Sequence, residues 1–178
     1  MEILTLENIN SVTSLLSEIQ CIFFSENCIV GLENNNHTTG CILTVSGDSD
    51  VDFQIDWTRT VNKSGYKEPK KIVEHSAEAI SFFLSYRLTE YEVAEEALIG
   101  TGFDYWLCYK QDNDLYDPQN FMQARLEISG INKEAPTNTI NQRIKIKNNQ
   151  TQISDKLNLP AYISIVELSF PKAYFAKK

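Results

Sequence analysis

The sequence predicts a mixed α/β fold of the α+β kind, with a mixed central sheet flanked by helices and an antiparallel β meander ahead of it. Three observations predict this. Residues 70–90 place Ile72, Ala79, Ile80, Phe83, Leu84 and Leu88 on one broad apolar face at helical spacing. From Tyr91 onward the apolar pattern switches to short alternating runs. Upstream, DFQIDW alternates cleanly, with Phe53, Ile55 and Trp57 on one side and Gln54 and Asp56 on the other.

In chain order, Val12, Leu15, Leu16 and Ile19 lie at helical spacing and predict a short helix within residues 1–20. Ile19 to Leu32 then reads as a strand interrupted near Ser25–Asn27, and the Asn-rich turn Glu33–His37, with His37 exposed, separates it from a strand at Gly40–Ser46. A Gly-Asp-Ser-Asp turn leads into a strand at Val51–Thr60, and residues 61–70 form a polar linker in which Pro69 is placed to start the next helix. After the helix at 70–90 come strands at Tyr91–Ile99, Phe103–Tyr109 and Gln123–Ile131, the first two joined by Gly100-Thr101-Gly102. A helix near Asn138–Leu157 and a last strand at Tyr162–Phe170 follow, and the tail PKAYFAKK is basic and aromatic. The order divides the chain into a helix-and-meander extension, 1–69, and an α-β-β-β-α-β core, 70–178, packed as one compact domain.

A hydrophobic share of 42% in 178 residues supports one core of useful size. No apolar run approaches the roughly 18 residues that span a bilayer, and the acidic N-terminus lacks the basic start of a signal peptide, so a cytoplasmic protein without membrane contact is expected. Cys21, Cys28, Cys41 and Cys108 show no CxxC spacing and are expected as buried free thiols. The net charge of −8 argues against tight, independent binding to nucleic acid, because phosphate contacts need cations, and it suits docking on a basic partner.

The carboxylates fall at informative places. Asp104 lies in GTGFDYWL, Glu127 in the next strand, ARLEISG, and Glu78 on the preceding helix. Alternation sets Arg125, Glu127 and Ser129 on one face, and Asp104 with Trp106 on the corresponding face of the neighbouring strand. Two adjacent strands can thus offer one carboxylate each to a hard divalent cation, which takes one or two carboxylates plus waters and activates a water against a phosphodiester. Over about residues 70–170 this order resembles the PD-(D/E)xK, or restriction-endonuclease-like, superfamily. The resemblance implies a metal-dependent nuclease, or a nuclease-like subunit of a bacterial DNA-processing or defence system. Asp104, Glu127 and Glu78 would hold magnesium (Mg2+), with Ser129 and Arg125 beside them in the catalytic set.

The motif of that superfamily ends in a lysine two residues after the second acid, and Ser129 stands there instead. Arg125 on the same face, or Lys145 or Lys147 on the following helix, can supply the missing charge, since the lysine is known to migrate in this superfamily. Arg143, Lys145 and Lys147 in NQRIKIK are also the best candidates for contacts to DNA phosphates. The serine and the acidic balance leave two further readings open: an inactive nuclease-like module that binds a protein partner or larger complex, and an acidic immunity-type protein that masks a basic one.

Overall fold

The computed structural model describes all residues, Met1–Lys178. Eight strands form one mixed sheet. In chain order the elements are β1 (Glu2–Thr5), α1 (Glu18–Asn34), β2 (Cys41–Gly47), β3 (Val51–Asp56), α2 (Pro69–Leu88), β4 (Tyr91–Glu96), β5 (Tyr105–Tyr109), β6 (Ala124–Ile131), α3 (Ile140–Gln150), β7 (Ala161–Glu167) and β8 (Lys172–Lys177). The strands lie in the order β1-β3-β2-β8-β7-β6-β5-β4. The β1/β3, β2/β8 and β6/β7 pairs are parallel and the others antiparallel. One sheet therefore runs through both predicted segments, and the main apolar cluster draws on residues from Leu4 to Phe175. No helix is long and apolar enough to cross a membrane.

The helices α1 and α2 pack together against one face of the sheet, while α3 lies over β6 and β7 on the other. The alternation in β6 follows from this. Ala124, Leu126 and Ile128 join the main core under α2, and Arg125, Glu127 and Ser129 point to the α3 side. Gly130 permits the close approach of α2, since a Cβ there would stand 2.6 Å from the Val73 carbonyl oxygen. Phe53, Ile55 and Trp57 are buried, as the pattern in β3 requires, and three of the four free cysteines are buried while Cys41 is half-buried.

The N-terminal region departs from expectation. Residues 2–5 form a strand and Leu6–Ser11 a 3-10 helix, and the short helix expected to carry Val12, Leu15, Leu16 and Ile19 does not form, since α1 begins only at Glu18. The segment expected as a strand at Ile19–Leu32 is the helix α1. Its start is fixed by a capping box: the Ser17 hydroxyl accepts from the Gln20 backbone N–H, and the Gln20 side chain accepts from the Ser17 N–H. The helix is buried on several sides, with Cys21, Phe24, Cys28, Ile29 and Leu32 in the main cluster, so no polar face marks its period. The meander thus reduces to the β2–β3 hairpin. The basic and aromatic tail, for which the sequence predicts no element, contains β8, which enters the sheet between β2 and β7. His37 is half-buried, its Nε2 within 3.0 Å of the Leu168 carbonyl and 3.1 Å of that of Ser169, where an exposed turn residue was expected. The helix expected to run to Leu157 becomes a 3-10 helix at Thr151–Leu157.

Candidate functional site

β5 begins one residue after Asp104, so β6 runs on past the start of its neighbour and leaves a gap in the sheet. Asp104 is the last residue to bridge that gap. Its N–H donates to the Leu126 carbonyl at 2.9 Å, and its Oδ2 accepts from the Ile128 N–H at 2.7 Å, standing in for the missing backbone carbonyl. Tyr105 opposite Leu126 and Trp106 opposite Arg125 set the register, and one step further sets Asp104 opposite Glu127. The two carboxyls come within hydrogen-bonding reach of each other.

The third member arrives from α3. Lys147 Nζ forms an ion pair with Glu127 Oε1 and lies 3.3 Å from Gln150 Oε1. A Thr139–Gln142 capping box fixes the start of this helix and hence the position of Lys147 along it. Glu127 has no exposed surface, and its second oxygen, Oε2, has no hydrogen-bond donor. Burial, followed by the charge of Asp104, pushes the Glu127 carboxyl up to about 7 against the pull of Lys147. Burial also raises Asp104, with the Ile128 N–H and Lys147 opposing it. Two carboxylates and one ammonium leave this cluster one positive charge short. A proton between Asp104 and Glu127, or a cation, supplies it.

Asp104 and Lys147 face a cleft of about 460 Å³ between α2, the end of β6 and α3. Lys70, Glu74 and Glu78 line it from the α2 side, Ser129 and Asn132 from the floor, and Arg143 from α3. Glu127 lies behind these side chains. Glu78 is engaged elsewhere: its Oε1 accepts from the Tyr105 hydroxyl at 3.0 Å and its Oε2 lies 2.7 Å from His75 Nδ1. Burial raises the Glu78 carboxyl, while the bond to Glu78 raises His75. Of the α2 acids it is Glu74, one turn earlier on the same face, whose charge is felt at Asp104. No three His, Cys, Asp or Glu side chains gather to hold a metal ion; Asp104 and Glu127 form a pair.

The remaining sequence candidates divide. Ser129 lines the cleft. Arg125 does not: its guanidinium, 4% exposed, donates to Ser154 Oγ at 2.6 Å and to the Leu159 carbonyl at 2.7 Å, holding the 3-10 helix onto β6. An arginine on the face of Glu127 is thus consumed by structure. Arg143 lines the cleft with its Nε bound to Asn138 Oδ1 at 2.7 Å, whereas Lys145 is exposed outside it. Glu74 and Asn132 are not among the site residues the sequence suggests, although the four-residue spacing of Glu74 and Glu78 puts both on one helical face. Compared with protein-family models, curated proteins and solved structures, the chain matches none.

Proposed function

We propose that the protein is a magnesium-dependent nuclease whose site is a divergent form of the PD-(D/E)xK arrangement, with Asp104 and Glu127 as metal ligands and Lys147 in the role of the displaced lysine. The observation that carries this reading is the convergence of Asp104 just ahead of β5, Glu127 on β6 and Lys147 on α3, with Asp104 and Lys147 lining one cleft and Glu127 behind them carrying a buried oxygen that lacks a donor. Magnesium suits such a pair, since it takes one or two carboxylates and fills its remaining positions with water and phosphate oxygens. Asp104 and Glu127 would hold the metal, which would polarise a phosphate and activate a water, and Lys147 beside them would face the charge that develops on that phosphate. Arg143 and Lys70 on the cleft walls offer cations to neighbouring phosphates. Ser129 can orient water but brings no charge.

The test is nicking of supercoiled plasmid with magnesium or manganese by wild type, Asp104→Asn and Glu127→Gln. Cleavage by wild type alone supports the reading; equal background in all three removes it. A second reading, a non-cutting module that docks on a basic protein partner, draws on the net charge of −8. It predicts no cleavage by any of the three and partner binding that is insensitive to Asp104→Asn.

A further inference from the structure

We propose that the tip of the β4–β5 hairpin, Leu98 and Ile99, is a wedge that inserts between stacked bases of a nucleic-acid duplex beside the site described above; the proposal rests on the nuclease reading of that site. These are the most exposed large apolar side chains of the chain, at 82% and 107% of full exposure. Scattered single apolar residues on a surface need no account, but two in succession on a braced turn do. The tip is held firmly. The Thr101 hydroxyl donates to the Leu98 carbonyl at 2.8 Å and the Thr101 N–H to the same oxygen at 3.2 Å. Phe103, just past the tip, is buried edge-on against Trp106 with ring centroids 4.6 Å apart. Gly102, at φ +86°, presses against the Gln150 carbonyl, where a Cβ would stand 2.8 Å away.

Those contacts also fix where the tip sits. The Ala97 N–H donates to the Asp104 carbonyl at 2.7 Å, closing the hairpin at the proposed metal ligand. Leu98 and Ile99 follow that closure directly, within roughly 8 Å along the chain. On its other side the tip leans on Gln150, whose side chain neighbours Lys147, and on Ile153, another exposed apolar residue. The apolar tip is therefore a neighbour of Asp104, on the same hydrogen-bonded hairpin, and of Lys147, at the end of α3.

The chemistry of the tip selects its occupant. Residues 95–103 carry no cation to hold a phosphate, so the contact the tip itself can make in a nucleic acid is apolar, with a base face. Leu and Ile are among the side chains that separate base steps and kink a duplex. Two side chains bury far less than the roughly 800 Å² per partner of a stable protein interface, which disfavours a second copy as the occupant. Unstacking at this point would turn the adjoining phosphate toward the cleft, where the walls carry Lys70, Arg143 and Lys147.

The experiment compares wild type with Leu98→Ser/Ile99→Ser, and with Ile99→Ser alone, in magnesium. The substrates are a duplex carrying 2-aminopurine and the unstructured single strand of the same sequence. Both side chains lie outside the core, so unchanged circular dichroism melts should accompany the substitutions. Expected is a fluorescence rise on duplex binding by wild type that the double variant loses. Its duplex cleavage should fall at least tenfold, with single-strand cleavage within twofold of wild type. Cleavage of both substrates at wild-type rates, or an equal loss on both, overturns the wedge and leaves the nuclease reading standing. A wild-type dimer that the double variant dissociates in sedimentation also overturns it and assigns the tip to self-association. A wild type that neither cuts nor raises the fluorescence overturns both.

Discussion

The two halves of the sheet use the same backbone ladder for different ends. In β1, β3, β2 and β8 the inward face is Leu4, Phe53, Ile55, Leu43, Val45, Ala173 and Phe175, and none of these strands buries a polar side chain. In β7, β6, β5 and β4 the strands bury Ser164, Glu167, Arg125, Glu127, Ser129 and Glu92. A buried charge is costly unless paired, so a fold gains little by adding one where an apolar residue would pack. Most of these polar groups have structural employment. Glu167 accepts from the Ser169 and Phe170 N–H groups at the β7–β8 turn, Ser81 donates to Ser164, and Arg125 anchors the 3-10 helix. Arg125 Nε and one oxygen of Glu127 are both left without a partner, but Glu127 differs in having a second acid set beside it as well as an ammonium. Two acids and an ammonium brought together by burial, directly behind a cleft that Asp104 and Lys147 line, are what separate a candidate site from a structural ion pair.

That contrast breaks most decisively under substitution of the acids. Asp104→Asn keeps an acceptor for the Ile128 N–H and should fold as wild type, yet plasmid nicking should drop to background, as with Glu127→Gln. Equal nicking by either variant would make the second half as purely structural as the first. The reverse substitution acts on stability. Phe53→Ala, in the first half, should cost about 3–5 kcal/mol in urea denaturation through the cavity it leaves, with the activity of the remaining folded protein unchanged. Glu127→Gln should stay within about 1 kcal/mol of wild type, since it removes one of two adjacent acids as well as an ion-pair partner.

Acid behaviour sharpens the comparison further. Glu127 has its carboxyl raised from 4.5 to about 7 in the folded chain, so between these values the native state holds a proton that the unfolded state has released. Stability should therefore fall as pH rises from about 4.5 to about 7, by roughly 3 kcal/mol at most. Asp104, Glu78 and Glu92, also raised by burial, contribute with the same sign. Urea midpoints measured across this range should show the decline in wild type and a shallower one in Glu127→Gln; parallel curves would remove Glu127 as its source. The smallest effect separates two neighbouring cations. Arg143→Ala should lower the salt dependence of DNA binding by about one unit of log–log slope, and Lys145→Ala, outside the cleft, should leave it unchanged.

The legible parts of the sequence were those where one physical signal acted alone. Helix α2 begins at Pro69 and repeats its apolar residues at helical spacing, although Ala79 to Ser85 are buried all round, and β3 alternates because one of its faces is open. Helix α1 was misread because it packs on several sides and its aromatic and β-branched run, IQCIFFSENCIV, imitates a strand; the one unambiguous mark was the S-x-x-Q capping box at Ser17. At the site, the alternation in ARLEISG correctly separated Glu127 from Leu126, but alternation also put Arg125 beside Glu127 and could not tell that Ser154 and Leu159 would claim it. Which lysine on NQRIKIK turned inward depended on how α3 lies over the sheet, and that is a tertiary fact.

The position of β8 carries a consequence for how the molecule comes into being on the ribosome. This strand is drawn from residues 172–177, yet it sits in the middle of the sheet, between β2 and β7. During synthesis β1, β2 and β3 emerge early and can pair among themselves, while β4 to β7 emerge later as a second group. No strand pairing joins the two groups until β8 has cleared the exit tunnel. The edges of β2 and β7 stay open until then, and open edges invite pairing with other nascent chains. A chain lacking residues 172–177 would leave β2 and β7 without the strand that pairs with both, and only apolar packing, chiefly of α1 on α2, would hold the two half-sheets together.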